Sequence, residues 1–323
     1  MTARAHTPDN DDDLLRYRLS LRMGPVHARQ RLGIEQEAEA HLFGKDRRSF
    51  HLENLYTAPG VIRVCLKLVG LFRRGQRNSR RLRTVHHEFR LPQLPAAFDG
   101  YRILHLTDLH VDMDAANLQA VIDQIRPLEY DLCVLTGDYR RLTWGPIDDA
   151  LQGMSELRQA IRGEPLAVLG NHDSIRMLPG LEDMGYRVLL NESVVIERDG
   201  QSLFVAGVDD PHFYKVHNLQ RAGDQIPDAA TSLLLSHSPE IWREASHAGF
   251  DAYLCGHTHG GQICLPGGVP VTLDADCPRS LGRGHWQRGG MQGYTSPGAG
   301  TSVVNVRLNC PPEVTIHTLK KHS

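Results

Sequence analysis

Five short apolar runs each end on polar side chains able to hold a metal, and this recurring pattern constrains the fold more than any other feature. Ile103-Leu104-His105-Leu106 leads into Asp108-Leu109-His110, and Leu132-Cys133-Val134-Leu135 into Gly137-Asp138. Leu166-Ala167-Val168-Leu169 leads into Gly170-Asn171-His172-Asp173, and Leu233-Leu234-Leu235 into Ser236-His237-Ser238. The last run is the most informative: Leu254-Cys255 leads into Gly256-His257-Thr258-His259-Gly260-Gly261-Gln262. Short apolar runs separated by helical stretches read as central parallel strands. In open α/β sheets, ligands bind outside the carboxyl ends of such strands. The loops would then bring carboxylate, amide and imidazole groups to one rim. Side chains on a strand repeat with period two, so His257 and His259 can aim at one point. Histidine is the commonest metal-ligating side chain, and two so placed ask for a metal. Any one of these histidines alone reads as a satisfied core or surface residue. The ordered set does not.

The segments between the runs fit this reading. Ala116, Leu118, Val121, Ile122 and Ile125 form a helical stripe, as do Ile147, Leu151, Met154, Leu157 and Ile161. Another helix is expected over 239–248, a hairpin around Asp199-Gly200, and closing strands at Val303–Leu308 and Val314–Leu319.

The order Asp-x-His, Gly-Asp, Gly-Asn-His-Asp, Ser-His, Gly-His-Thr-His resembles the calcineurin-like metallophosphoesterases, over Thr84 to Lys320. The Gly-His-Thr-His-Gly-Gly-Gln ending, Leu94–Gly100, Gly207–Pro211 and Asn309–Val314 are similar to one branch of that superfamily. This branch of membrane-associated bacterial phosphodiesterases includes UDP-2,3-diacylglucosamine pyrophosphatases of lipid A synthesis. The resemblance implies a four-layer α/β/β/α sandwich with, here, an N-terminal helical extension. It implies two divalent metal ions, for which nitrogen and oxygen donors admit manganese, iron, zinc or cobalt, with manganese favoured. Asp108, His110, Asp138 and His259 would hold one ion. Asp138, Asn171, His237 and His257 would hold the other, with Asp138 bridging. An activated water is the expected nucleophile, and His172 the group that stabilises the transition state or protonates the leaving oxygen.

The chain departs from the superfamily in three places. The aspartate that orients the equivalent histidine in phosphoprotein phosphatases is absent from Gly137-Asp138-Tyr139-Arg140-Arg141, which argues against protein-phosphatase function. Asp173 or a backbone carbonyl is left to orient His172. Pro297 stands where branch members often carry arginine, and no stretch is long and apolar enough for their transmembrane helix. Arg140 and Arg141 are candidate phosphate contacts, equally readable as a solvated pair. Asp209, Asp210 and His212 are candidate cleft residues.

Composition sets the remaining bounds. Six cysteines without a CxxC pairing suit a reducing cytoplasm. A net charge of −2 gives no overall argument for nucleic acid, and none is expected as a partner. Met1 to Asn10 show no basic segment followed by an apolar one, so no signal peptide is expected. Three units are expected: an accessory helical segment over 1–57, an amphipathic basic helix and linker over 58–83, and a catalytic domain over 84–320. Val61 to Arg74 reads as one helix with Arg63, Lys67, Gly70 and Arg74 on one face, followed by Arg77, Arg80, Arg81 and Arg83. Such a helix can lie on an anionic membrane surface or pack its apolar face on the catalytic domain. The leading expectation is a hydrolase cleaving a phosphodiester or pyrophosphate in a lipid-linked nucleotide, peripheral on the cytoplasmic membrane face. The alternatives are a soluble phosphodiesterase on cyclic or other nucleotides, and a non-catalytic metal-bearing scaffold.

Overall fold

The computed structural model describes residues 11–43 and 58–321. The chain opens with a helical hairpin, α1 (Asp11–Met23) and α2 (Pro25–Phe43), and resumes with α3 (Ala58–Leu68) and α4 (Phe72–Ser79). Next come β1 (Arg83–Leu91), β2 (Arg102–Leu106), α5 (Ala115–Ile125), β3 (Leu132–Thr136), α6 (Asp148–Arg158), β4 (Leu166–Val168), α7 (Leu178–Asp183) and β5 (Arg187–Val188). The second half holds β6 (Glu192–Arg198), β7 (Gln201–Gly207), α8 (Leu219–Gly223), β8 (Ser232–Leu235), α9 (Trp242–His247) and β9 (Ala252–Cys255). It closes with β10 (Cys264–Leu265), β11 (Val269–Pro270), β12 (Gly284–Arg288), β13 (Met291–Thr295) and β14 (Glu313–Lys321).

Two six-stranded sheets result, ordered β1-β14-β2-β3-β4-β5 and β12-β13-β9-β8-β7-β6. Strands β2 to β5 run parallel, as do β7, β8, β9 and β13. Alternation along each strand sorts side chains into layers. Leu104, Leu106, Cys133 and Leu135 meet α5, α6 and α7, while Ile103, Val134, Leu233 and Leu254 meet between the sheets. On the far side Leu234, Tyr253 and Trp286 meet α8 and α9. This is the four-layer α/β/β/α sandwich. Leu15, Leu19, Met23, Ala28 and Leu32 of the hairpin belong to the same core as α5 to α7. Each buried leucine contributes roughly 1.5–3 kcal/mol, which anchors the extension firmly.

Two expectations are corrected. Val61 to Arg74 is not one helix: Gly70 takes φ +72° and ends α3 two residues before α4 starts. Val303 to Leu308 is not a strand, apart from a single bridge between Leu308 and Ile263. Its apolar residues are satisfied by α3 and α4 instead, with Leu66, Ile62, Leu71 and Phe72 packing on Val304, Val306 and Leu308.

Four imidazoles cross the inter-sheet layer. His285 Nδ1 lies 3.1 Å from His87 Nε2, and His87 Nδ1 3.2 Å from His317 Nδ1. His317 Nε2 is 3.3 Å from His105 Nδ1, and His105 Nε2 is 2.9 Å from the Thr136 hydroxyl. Burial pushes His105 down to about 3 and holds His317 well below its usual value, so both stay neutral in the fold. The unfolded chain protonates them below about pH 6.5. Their contribution is therefore complete above pH ~6.5 and is lost as pH falls towards the depressed folded values. Urea unfolding of metal-saturated protein should show stability declining from pH 6.5 to 4.5, these two rings adding at most about 1.4 kcal/mol per pH unit each. His317→Leu should flatten that decline, and an unchanged slope would count against the argument.

Candidate metal centre

Loops leaving β2, β3, β4, β8 and β9 meet at one edge of the sandwich, and their backbones are bent unusually. Asp108, His110, Asp138, His257 and His259 all sit at positive φ, between +41° and +72°. Non-glycine residues rarely take this region, and such outliers concentrate at active sites. Backbone hydrogen bonds hold the bends: Asp108 N–H donates to Gly137 O and His110 N–H to Asp138 O, both at 3.0 Å. Strand β9 ends at Cys255, so His257 and His259 are aimed by left-handed turns and not by strand alternation. Glycines make room. A Cβ on Gly170 would lie 2.3 Å from Asp138 Oδ1, and one on Gly256 2.2 Å from Asp108 Oδ2.

Two groups of donors result, sharing Asp138. Donor atoms of Asp108, His110, Asp138 and His259 lie within 4.8 Å of one another, as do those of Asp138, His237 and His257. Asn171 Oδ1 joins the second group, 2.9 Å from His237 Nε2. Every one of these residues is buried. His110 Nε2 faces His259 Nε2 at 3.3 Å, and His237 Nε2 faces His257 Nδ1 at 3.1 Å. His110 Nδ1 is 2.8 Å from the carbonyl of Arg140, and His237 Nδ1 2.7 Å from that of Thr136. A carbonyl only accepts, so each Nδ1 carries a proton and each Nε2 is turned to the centre. Such partners commonly orient metal-ligating histidines.

The electrostatics fit a cation. Burial keeps His257 and His259 well below their usual values and His110 at about 4, so these three rings are neutral and able to ligate. Burial also opposes a charged His237, but the facing Asp138 carboxylate lifts it to about 10. Burial likewise disfavours Asp138 ionisation, yet His237 and His172 carry that carboxyl well below its usual range. Positive charge is wanted between these side chains. Asp108, pushed up to about 6 by burial, receives the Thr107 hydroxyl at 2.8 Å and the His257 N–H at 3.0 Å. The donor set and its electrostatics fit divalent cations, with Asp138 common to both donor groups.

His172 stands beside this centre and belongs to neither donor group. Its side chain is 16% exposed, its Nε2 is 3.9 Å from Asp138 Oδ2, and its ring meets His110 edge-on at 5.0 Å. Neither expected orienting group reaches it. Asp173 turns away to accept the N–H groups of Asp138, Tyr139 and Gly170, each at 2.8 Å, and among the described residues His172 Nδ1 has no hydrogen-bond partner. Arg140 is buried and donates from Nε to the His172 carbonyl at 2.5 Å, so it supports the loop from behind. Arg141 is half exposed beside Asp112. Asp209 and Asp210 are wholly buried, while His212 reaches the cleft, its ring 4.1 Å from that of His257 and its Nδ1 2.8 Å from Glu240.

Arg307 was not anticipated. Fully buried, it donates to the carbonyls of Pro297 (2.7 Å), Gly300 (2.6 Å) and His259 (3.3 Å), fixing the loop that covers Asp108. Its only sequence signal is a lone arginine inside an apolar stretch.

Comparison with known proteins agrees with this geometry. The family model for calcineurin-like phosphoesterases matches residues 101–261. The chain is 29% identical over 228 residues to the uncharacterized metallophosphoesterase YkoQ of Bacillus subtilis, covering 67% of this chain and 83% of that one. It is 28% identical over 256 residues to YkuE of the same organism, covering 74% and 86%. It is also 30% identical over 236 residues to the phosphodiesterase YaeI of Escherichia coli, covering 67% and 81%. The chain belongs to the calcineurin-like metallophosphoesterases and is a metal-dependent phosphoesterase.

Proposed function

We propose that this phosphoesterase cleaves a phosphodiester or pyrophosphate in a lipid-linked nucleotide, UDP-2,3-diacylglucosamine being the best single candidate, at the cytoplasmic membrane face. The observation that carries the chemistry is the pair of buried donor groups sharing Asp138. When bound, two divalent ions, manganese favoured, supply Lewis acidity and an activated water. In this reading residues 84–320 form the catalytic unit. Asp108, His110 and His259 would hold one ion and Asn171, His237 and His257 the other, with Asp138 shared between them. His172, outside both groups and reachable from solvent, donates the proton to the leaving oxygen.

The lipid part of the reading is supported by α3. Val61, Val64, Leu68 and Val69 are 56–81% exposed. Val61, Val64 and Leu68 fall at i, i+3 and i+7 on one face of α3, with Val69 just past its end, while Ile62 and Leu66 pack inward. Arg63 and Lys67 of α3 are exposed, as are Arg73, Arg74 and Arg77 of α4. An exposed apolar stripe on a segment rich in cations suits an anionic bilayer surface, each cation adding about 1 kcal/mol. Among the described residues no helix is long and apolar enough to cross a membrane.

The test is hydrolysis by manganese-loaded protein of bis-p-nitrophenyl phosphate, then of UDP-2,3-diacylglucosamine in anionic vesicles. Turnover of both is expected, with vesicle binding that weakens as salt rises. Hydrolysis of the small diester alone, without vesicle binding, would leave a soluble nucleotide phosphodiesterase.

A further inference from the structure

The α1–α2 hairpin reaches the catalytic loops through one buried cation. Arg31, on α2, is 0% exposed, and its guanidinium meets four partners. It donates to Glu35 Oε2 at 2.6 Å and to the backbone carbonyl of Asp173 at 2.8 Å. Its Nε lies 3.4 Å from Asp209 Oδ2, and its plane covers the Tyr214 ring at 3.2 Å. Glu35 extends the grip by accepting the Ser174 hydroxyl and, at 3.0 Å, the Ile175 N–H.

Two loops are thereby tied to one side chain. The first carries Asn171 and His172. Its consecutive carbonyls, 172 and 173, are held by Arg140 and Arg31 respectively. The second runs from Asp209 to Tyr214, where the Asp210 carboxylate accepts the N–H groups of His212, Phe213 and Tyr214 at 2.7–3.1 Å. That turn delivers His212 over His257. A planar guanidinium can bond a carboxylate and a carbonyl while stacking on an aromatic face, and a lysine ammonium cannot do all three.

We propose that Arg31 is a positioning residue for hydrolysis: through Arg31 and Glu35, the N-terminal hairpin sets the placement of the Asn171–His172 loop and of His212. The hairpin is then a working part of the active site. The effect on rate rests on the function proposed above; the effect on placement does not.

The experiment compares full-length wild type, Arg31→Lys, Arg31→Ala and Glu35→Gln, each checked for folding by circular dichroism. Imidazole nitrogen NMR reads placement directly. The His172 and His212 signals should move in all three variants while that of the distant His247 stays fixed. Turnover should fall by ~10–100-fold, as for other residues that orient ligands. The loss should be larger for diphenyl phosphate than for bis-p-nitrophenyl phosphate, and millimolar guanidinium should restore part of the Arg31→Ala rate. If Arg31→Ala does not fold, Arg31→Lys and Glu35→Gln decide. Unmoved His172 and His212 signals in folded variants, or equal losses on both diesters without guanidinium rescue, overturn the proposal. An inactive wild type whose imidazole signals still respond to Arg31 would refute the assigned reaction and leave the positioning role standing.

Discussion

Asp138→Asn should abolish most activity and release metal, the largest effect expected of any single substitution. Among the described residues, Asp138 alone belongs to both of these donor groups. Its Oδ1 lies 3.3 Å from His237 Nε2 and its Oδ2 3.7 Å from His110 Nε2, so each oxygen faces a different half of the centre. Asparagine keeps the shape, but its amide nitrogen cannot ligate and its negative charge is gone. The loss should exceed the ~10–100-fold typical of residues that only orient ligands. Metal analysis by plasma mass spectrometry should show at most one ion retained. A variant that holds two ions and turns over near the wild-type rate removes Asp138 from the bridging position.

The convergence of these side chains could be read in advance because each follows its strand directly in sequence. Once Leu132–Leu135 is recognised as a strand, Asp138 can only lie at its carboxyl end, and the same holds for Asp108, Asn171, His237 and His257. How the donors are aimed could not be read this way. The left-handed turns at Asp108, His110, Asp138, His257 and His259 arise from loops bonding to one another across the sheet edge, and no local pattern announces them. Arg31 and Arg307 escaped for a related reason, and Arg140, read as a phosphate contact or a solvated arginine, is buried for the same one. Each is buried because several carbonyls or carboxylates from distant segments converge on it, and charge in sequence ordinarily means solvent. The apolar alternation of Val303–Leu308 was genuine but found its partner in α3 and α4. The strands β12 and β13 were overlooked because glycine, glutamine and arginine dilute their apolar signal. Gly70 is the exception: a glycine inside a helical pattern is a legible stop.

His172→Ala should separate metal binding from chemistry. The ring lies outside both donor groups, so two ions should remain bound. Its backbone is fixed independently of its side chain: the N–H donates to Asp138 Oδ1 at 3.0 Å, and the carbonyl is held by Arg140. Removing the imidazole should therefore leave the loop in place. A group that protonates the leaving oxygen contributes typically 10²–10⁴-fold. That contribution matters most when the leaving group is a poor one, because a p-nitrophenolate departs without a proton. Turnover of diphenyl phosphate should accordingly fall by ~10²–10⁴-fold, and that of bis-p-nitrophenyl phosphate much less. Equal losses on both substrates would reduce His172 to stabilising charge on the phosphoryl oxygens. Loss of a metal ion in the variant would instead make it a ligand, contrary to the geometry of the two donor groups.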